Sequence, residues 1–193
     1  MGTRKTGRHP SRSVLMAKIR EAVSELKSID SQVSFDAARR LADLDSKAAT
    51  RSVLEVAKGG PNEHSRRFAV YVLRSLADKR SEKTLVDLLG NQTEPDSVRD
   101  EAAEALSVFV EKGSAMALQA LLSAHHDRSP AVRLSVAYSL GSSKSPSAKK
   151  ALSEMANDDV VPEGALQSVG DMARDTLVQD RFDIRLSKRK ALL

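Results

Sequence analysis

Residues 130–141 read Pro130-Ala131-Val132-Arg133-Leu134-Ser135-Val136-Ala137-Tyr138-Ser139-Leu140-Gly141. The same pattern stands earlier, where Pro95-Asp96-Ser97-Val98-Arg99 runs into Glu101-Ala102-Ala103-Glu104-Ala105-Leu106. Val98-Arg99 and Val132-Arg133 lie 34 positions apart. In both stretches apolar residues recur every three or four positions, the period of an amphipathic helix, behind a turn suited to start one. A second, shorter amphipathic run follows each. One helix pair repeated at this interval is the signature of an α-solenoid, in which each unit buries its apolar face only against its neighbours.

Working outward, the spacing predicts helix pairs over about 34–58, 63–90, 97–124 and 131–156, with units starting near 34, 64, 97 and 131. A leading helix capped by Ser13 and ended by Asp30 and Ser31 precedes them, carrying Val14, Leu15, Ile19, Ala22, Val23 and Leu26 at helical spacing. Gly59-Gly60-Pro61 and Gly90-Asn91 stop the second helices of the first two pairs. Asp158-Asp159-Val160-Val161-Pro162 leads into a last helix over about 164–178, which has no full partner and reads as a cap on the stack. The expected organisation is a flexible basic arm over 1–12, one solenoid over 13–180, and a basic tail over 181–193.

The 193 residues are 40% hydrophobic and 30% charged, with no cysteine, which excludes disulfides, thiol catalysis and thiolate metal sites. The formal charge of +5 is unevenly placed. Residues 1–12 and 181–193 each carry +4, while the body over 13–180 carries −3. Arg4, Lys5, Arg8 and Arg12 make one basic end, and Arg185, Lys188, Arg189 and Lys190 the core of the other. Such ends attract phosphate or an acidic protein surface without specificity. Val14-Leu15-Met16-Ala17 is interrupted by Lys18, so no secretory core forms, no stretch approaches membrane-spanning length, and a cytoplasmic location is expected.

The Pro/Asp-x-x-Val-Arg opening, Ala-rich first helix and Leu-rich second helix resemble HEAT repeats of the short bacterial type found in phycobilisome-lyase-like proteins. Val132 through Gly141 is the closest match, and Asp158-Asp159-Val160-Val161-Pro162 with Ser168-Val169-Gly170 resembles the closing segment of such proteins. The resemblance implies a right-handed all-α solenoid over roughly 30–178. It also implies that Arg66, Arg99 and Arg133, at equivalent repeat positions, pair with turn carboxylates or carbonyls of an adjacent unit. Among enzymes of this type, deoxyhypusine hydroxylases hold iron with His-Glu steps, and this chain has only Glu63-His64 and His126-Asp127. Alkylpurine DNA glycosylases need aromatic faces for base stacking. Here Phe35, Phe68 and Phe109 lie on apolar stripes and Tyr138 lies beside core positions. Bilin lyases work as partnered solenoids, and no catalytic residue carries over from them.

The remaining chemistry-bearing residues have structural explanations. His9, His64, His125 and His126 offer no i,i+4 pair, and adjacent His125 and His126 at a helix end are expected to diverge, so no metal site is expected. Asp100, Glu101 and Glu104 fall in the first turns of a helix, where negative charge suits the macrodipole. Gly59-Gly60 lacks the strand and lysine of a phosphate loop. No catalytic residue, metal or cofactor is expected.

What remains is a surface. The implied geometry puts second helices on the concave side, exposing Arg51, Glu55, Lys58, Lys83, Asp87, Gln119, Ser123, Lys149, Lys150 and Glu154 there. The mixed signs suit a protein partner, so a non-enzymatic interaction or scaffold module is expected. Nucleic-acid or ribonucleoprotein binding through the basic ends is the alternative, and a subunit of a bilin-lyase-like enzyme the weaker one.

Overall fold

The computed structural model describes residues 11–44 and 46–190, the side chains of 180–190 excepted. The described residues form ten α-helices and no strand. Helix α1 (Arg12–Glu25) leads into four pairs: α2 (Ser31–Asp43) with α3 (Thr50–Gly59), α4 (Glu63–Leu76) with α5 (Glu82–Gly90), α6 (Asp96–Glu111) with α7 (Ala115–Ala124), and α8 (Pro130–Leu140) with α9 (Pro146–Met155). Helix α10 (Val169–Lys190) packs on both α8 and α9. The chain is an all-α solenoid, as the repeat spacing predicts.

Local chemistry sets the helix starts. Asn62 Oδ1 accepts the Ser65 amide at 2.8 Å, and Ser114 and Ser145 each accept the amide three residues on at 3.2 Å. These side chains satisfy amides that a helix N-terminus leaves without partners. Asp30, expected to end the leading helix, instead caps α2 by accepting the Gln32 and Val33 amides, so α2 starts three residues before the expected Ser34. Ser11 rather than Ser13 caps α1, which makes Arg12 helical and not part of an arm. At the other end, 157–168 is loop, and α10 continues as backbone helix to Lys190 where a tail was expected past 180. Arg4, Lys5 and Arg8 lie outside the described residues.

The two rows of helices pack differently. First helices α2, α4, α6, α8 and α10 touch one another along much of their length, whereas second helices α3, α5, α7 and α9 meet far less. Side-chain size explains this. The first helices bury Ala37, Ala38, Ala69, Ala102, Ala103, Ala105 and Ala137, with Ser139 Oγ donating across to the Ala103 carbonyl at 2.9 Å. The second helices bury Val53, Val56, Leu85, Leu88, Leu89, Leu121, Leu152 and Met155, with Ala57, Ala117, Ala148 and Ala151 between them. Small residues let backbones approach, and large ones hold helices apart. A stack narrower on one side curves toward that side, so the first helices form its inner face. The expectation that second helices line the concave side is corrected on this ground.

Arginines tie the second, third and fourth units to the turns that follow them. Arg66 Nε donates to Glu94 Oε2 at 3.1 Å and its Nη1 to the Gly60 carbonyl at 3.1 Å. Arg99 is fully buried, pairing with Asp96 Oδ1 at 2.5 Å and with Asp127 in the following turn. Arg133 Nε donates to Asp158 Oδ2 at 2.6 Å and its Nη1 to the Asp127 carbonyl at 2.8 Å. A planar guanidinium can satisfy two turns at once, which a lysine cannot. The last turn is also close-packed: the Gly170 amide donates to the Asp158 carbonyl at 2.8 Å, and a Cβ at Gly170 would lie 2.7 Å from the Ala156 carbonyl oxygen.

Two stability outcomes follow. Arg99→Met strands the buried Asp127 carboxylate and is expected to cost about 3–5 kcal/mol in chemical denaturation. Gly170→Ala forces the closing loop off α9 and is expected to cost about 1–3 kcal/mol, read as a lower thermal midpoint.

Candidate functional site

The inner face is a polar lattice laid across consecutive first helices. Helix α4 contributes Glu63, Arg67, Tyr71 and Arg74, helix α6 contributes Asp100, Glu101 and Glu104, and helix α8 contributes Leu134, Ser135 and Tyr138, each set at helical spacing. Arg67 Nε lies 3.9 Å from Glu101 Oε2, and Arg74 Nη2 lies 3.5 Å from Glu101 Oε1. Arg74 also pairs with Glu104, and its guanidinium stands 5.5 Å from the Tyr71 ring centroid. Ser135 donates to Asp100, and Ser97 donates to Glu63 Oε1 at 2.5 Å.

These acids are not the solvated helix-end charges that the sequence suggests. Glu101 is buried, and Asp100 is partly covered by α8. Burial pushes the Asp100 carboxyl above its ordinary range, against the Ser135 hydrogen bond and the Arg67 and Arg74 charges. Glu101 is likewise pushed up by burial, against Arg74 and Arg67 and with Asp100 adding to the rise. The inter-unit acids move oppositely: the Arg99 hydrogen bond holds Asp96 low, and the Arg133 hydrogen bond holds Asp158 low.

Beside this lattice a cleft of about 610 Å³ opens between α6 and α8, bounded by Arg74, Glu104, Ser107, Leu134, Tyr138 and Met172. A second cleft of about 370 Å³ lies on the other side of Tyr138, toward Asp175, Thr176 and Gln179 of α10. Tyr138 stands between them with 56% of its surface exposed, so its expected place beside the core is corrected. Phe109 is buried, and Phe35 and Phe68 pack together with centroids 5.3 Å apart, as their stripes imply.

The outer row carries the residues singled out as the contact surface. Arg51, Glu55 and Lys58 are exposed on α3, Lys83 and Asp87 on α5, Gln119 and Ser123 on α7, and Lys150 and Glu154 on α9, with Lys149 half-buried. They do not converge. Lys83 pairs with Asp87, and Lys150 Nζ lies 3.8 Å from Glu154 Oε1, both one turn apart on a single helix. Gln119 and Ser123 line a cleft of about 630 Å³ between α5 and α7, the gap left by the wider outer spacing. The histidines depart from expectation too. His125 and His126 do not diverge: their ring centroids lie 3.8 Å apart, and Glu154 joins them from α9. Of the basic ends, Arg12 is exposed on α1, while the side chains of Arg185, Lys188, Arg189 and Lys190 lie outside the described residues.

The family model for HEAT repeats matches residues 92–170, which span α6 to the start of α10. The structure is similar to one chain of the complex of CpcE and CpcF of phycocyanin lyase from Nostoc sp. PCC7120, with a TM-score of 0.69 and 19% identity. The match covers 83% of this chain and 98% of that one. The described chain is an all-α solenoid whose residues 92–170 match HEAT repeats. No curated protein sequence matches it. The matched repeats support a repeat-based protein-interaction module. The expectation of a non-enzyme is overturned, because the solenoid shares its architecture with an enzyme complex. At 19% identity that likeness carries the fold and not the reaction. Among the described residues no helix is long and apolar enough to cross a membrane.

Opposed carboxyl shifts give the HEAT solenoid a two-sided pH profile. Asp100 and Glu101 have raised folded-state values, so stability rises as pH falls from neutral toward the ordinary carboxyl range near 4. Asp96 and Asp158 have lowered values, so their contribution, present above that range, is lost as pH falls further. Thermal melts from pH 7 to pH 3 are expected to pass through a maximum in weak acid. Glu101→Gln is expected to flatten the neutral side of that profile and leave the acid side unchanged.

Proposed function

We propose that this HEAT-repeat solenoid binds a partner protein on its inner face, with Tyr138 and the clefts on either side of it as the contact centre. The exposed tyrosine is the observation that carries this reading. An aromatic ring held on a rigid helix supplies contact area at low ordering cost, and tyrosine is enriched where interfaces concentrate their energy. The surrounding Arg67, Arg74 and Glu104 lattice supplies charges of both signs whose rotamers are already fixed by cross-helix pairing. Such a rim favours a polar protein surface over a polyanion, which supports a protein rather than a nucleic acid as the partner. The fold's likeness to one chain of a two-protein complex supports the same class of partner.

A second reading, that the chain is a subunit of a lyase-like enzyme, draws on one observation. Asp100 and Glu101 are carboxyls whose burial favours the protonated form, beside arginines and a cleft. A carboxyl so placed can deliver a proton to a bound molecule. Coloured tetrapyrrole copurifying with the native protein would favour this reading.

The test separates the two faces. Partners retained by the native protein are identified by mass spectrometry, and the strongest is titrated against variants. Tyr138→Ala is expected to weaken capture by about tenfold or more while the thermal midpoint holds, given the usual cost of losing an interface tyrosine. Charge reversal at Arg51, Lys83 and Lys149 together is expected to leave capture unchanged. The opposite pattern would move the contact surface to the outer row.

A further inference from the structure

His125, His126 and Glu154 gather on the outer row where the third and fourth units meet, though 28 or more residues separate the histidines from the acid in sequence. One ligand atom from each lies within 4.8 Å of the other two. Helix α7 ends at Ala124, so His125 and His126 leave the helix in its closing turn and their rings fall on the same side. Glu154 reaches them from the last turn of α9.

The hydrogen bonds at His125 raise a question of protons. Nδ1 lies 2.6 Å from the Leu122 carbonyl oxygen, and only a proton on Nδ1 makes that contact favourable. In the neutral ring Nε2 then has a lone pair and no hydrogen. It faces Glu154 Oε2 at 3.1 Å, which also offers only lone pairs. Two acceptors at this separation need a cation between or beside them, either a proton on Nε2 or a metal ion bound to both.

We infer that His125 Nε2, His126 and Glu154 bind a divalent transition metal ion of the zinc class, clamping α7 to α9. Imidazole nitrogens with one carboxylate suit zinc, and three protein ligands leave its fourth position open to water. Tetrahedral zinc, with bonds of about 2.0–2.1 Å, places its ligand atoms roughly 3.3 Å apart, close to the His125–Glu154 separation. His126 closes the remaining distance by rotating an exposed side chain. The Leu122 carbonyl plays the part usual for a metal-bound histidine, receiving the N–H of the far ring nitrogen and fixing which nitrogen is free. Lys150 Nζ opposes the ion from 3.8 Å off Glu154 Oε1, the oxygen that does not face His125.

Metal-stripped full-length chain is titrated with Zn2+ by calorimetry, with Co2+ as the spectroscopic probe. One equivalent of Zn2+ is expected to bind and raise the thermal midpoint, and Co2+ is expected to give visible absorption of a low-coordinate N/O site. His125→Ala, His126→Ala and Glu154→Gln are each expected to weaken binding by at least about tenfold. His64→Ala, a histidine on a different unit, should leave binding unchanged, and circular dichroism checks that all variants fold. Absence of stoichiometric Zn2+ uptake would overturn the proposal and assign the His125–Glu154 contact to a proton. Uptake untouched by the His125, His126 and Glu154 changes would overturn it equally, by placing the metal elsewhere.

Discussion

The second, third and fourth units of this solenoid each depend on an arginine that reaches into the turn that follows. Arg66, Arg99 and Arg133 sit at the same repeat position and find Glu94, Asp127 and Asp158 respectively. Apolar contact between helices is non-directional and would tolerate sliding by a turn. A guanidinium fork pinned to one carboxylate and to a second carboxylate or a carbonyl is not so tolerant. Where the arginine is fully buried, as Arg99 is, misregister would leave charge without compensation in the core. The arginines therefore fix the register of the stack, while alanines and leucines supply most of the cohesion.

Register alone leaves curvature undecided, and side-chain volume decides it. Alanine and serine at the seams of first helices bring those helices into close contact, while leucine, valine and methionine keep second helices apart. The same asymmetry distributes function. The tight row offers a continuous, cross-linked surface with Tyr138 raised above it. The loose row offers gaps, one of which is the cleft between α5 and α7, with His126 on its wall.

Much of the architecture was legible in the sequence. The repeat interval, the proline and glycine punctuation and the apolar stripes announce the paired helices, with Gly59-Gly60 and Gly90-Asn91 standing where α3 and α5 end. The misreadings have physical causes. Asp30 reads as a stop because an acid at the end of one helix and an acid capping the next look alike in one dimension. Helix α10 was cut short because its later residues are strongly basic, a composition that suits a solvated helix as well as a tail. The faces were reversed although the signal was present: Ala-rich first helices and Leu-rich second helices already state which row packs closer. The burial of Asp100 and Glu101 by α8, and the meeting of His125 with Glu154, depend on neighbours in the next unit, which a periodic pattern does not locate.

Unequal row spacing also decides how such a stack deforms. Flexing leaves the close-packed alanine seams nearly fixed, so they act as a hinge line, and strain goes into the wider wedges on the far side. A molecule lodged in one of those wedges would thus set the aperture of the opposite surface without touching it. Occupancy of the gap beside α7 and the grip around Tyr138 become two readings of one bending coordinate.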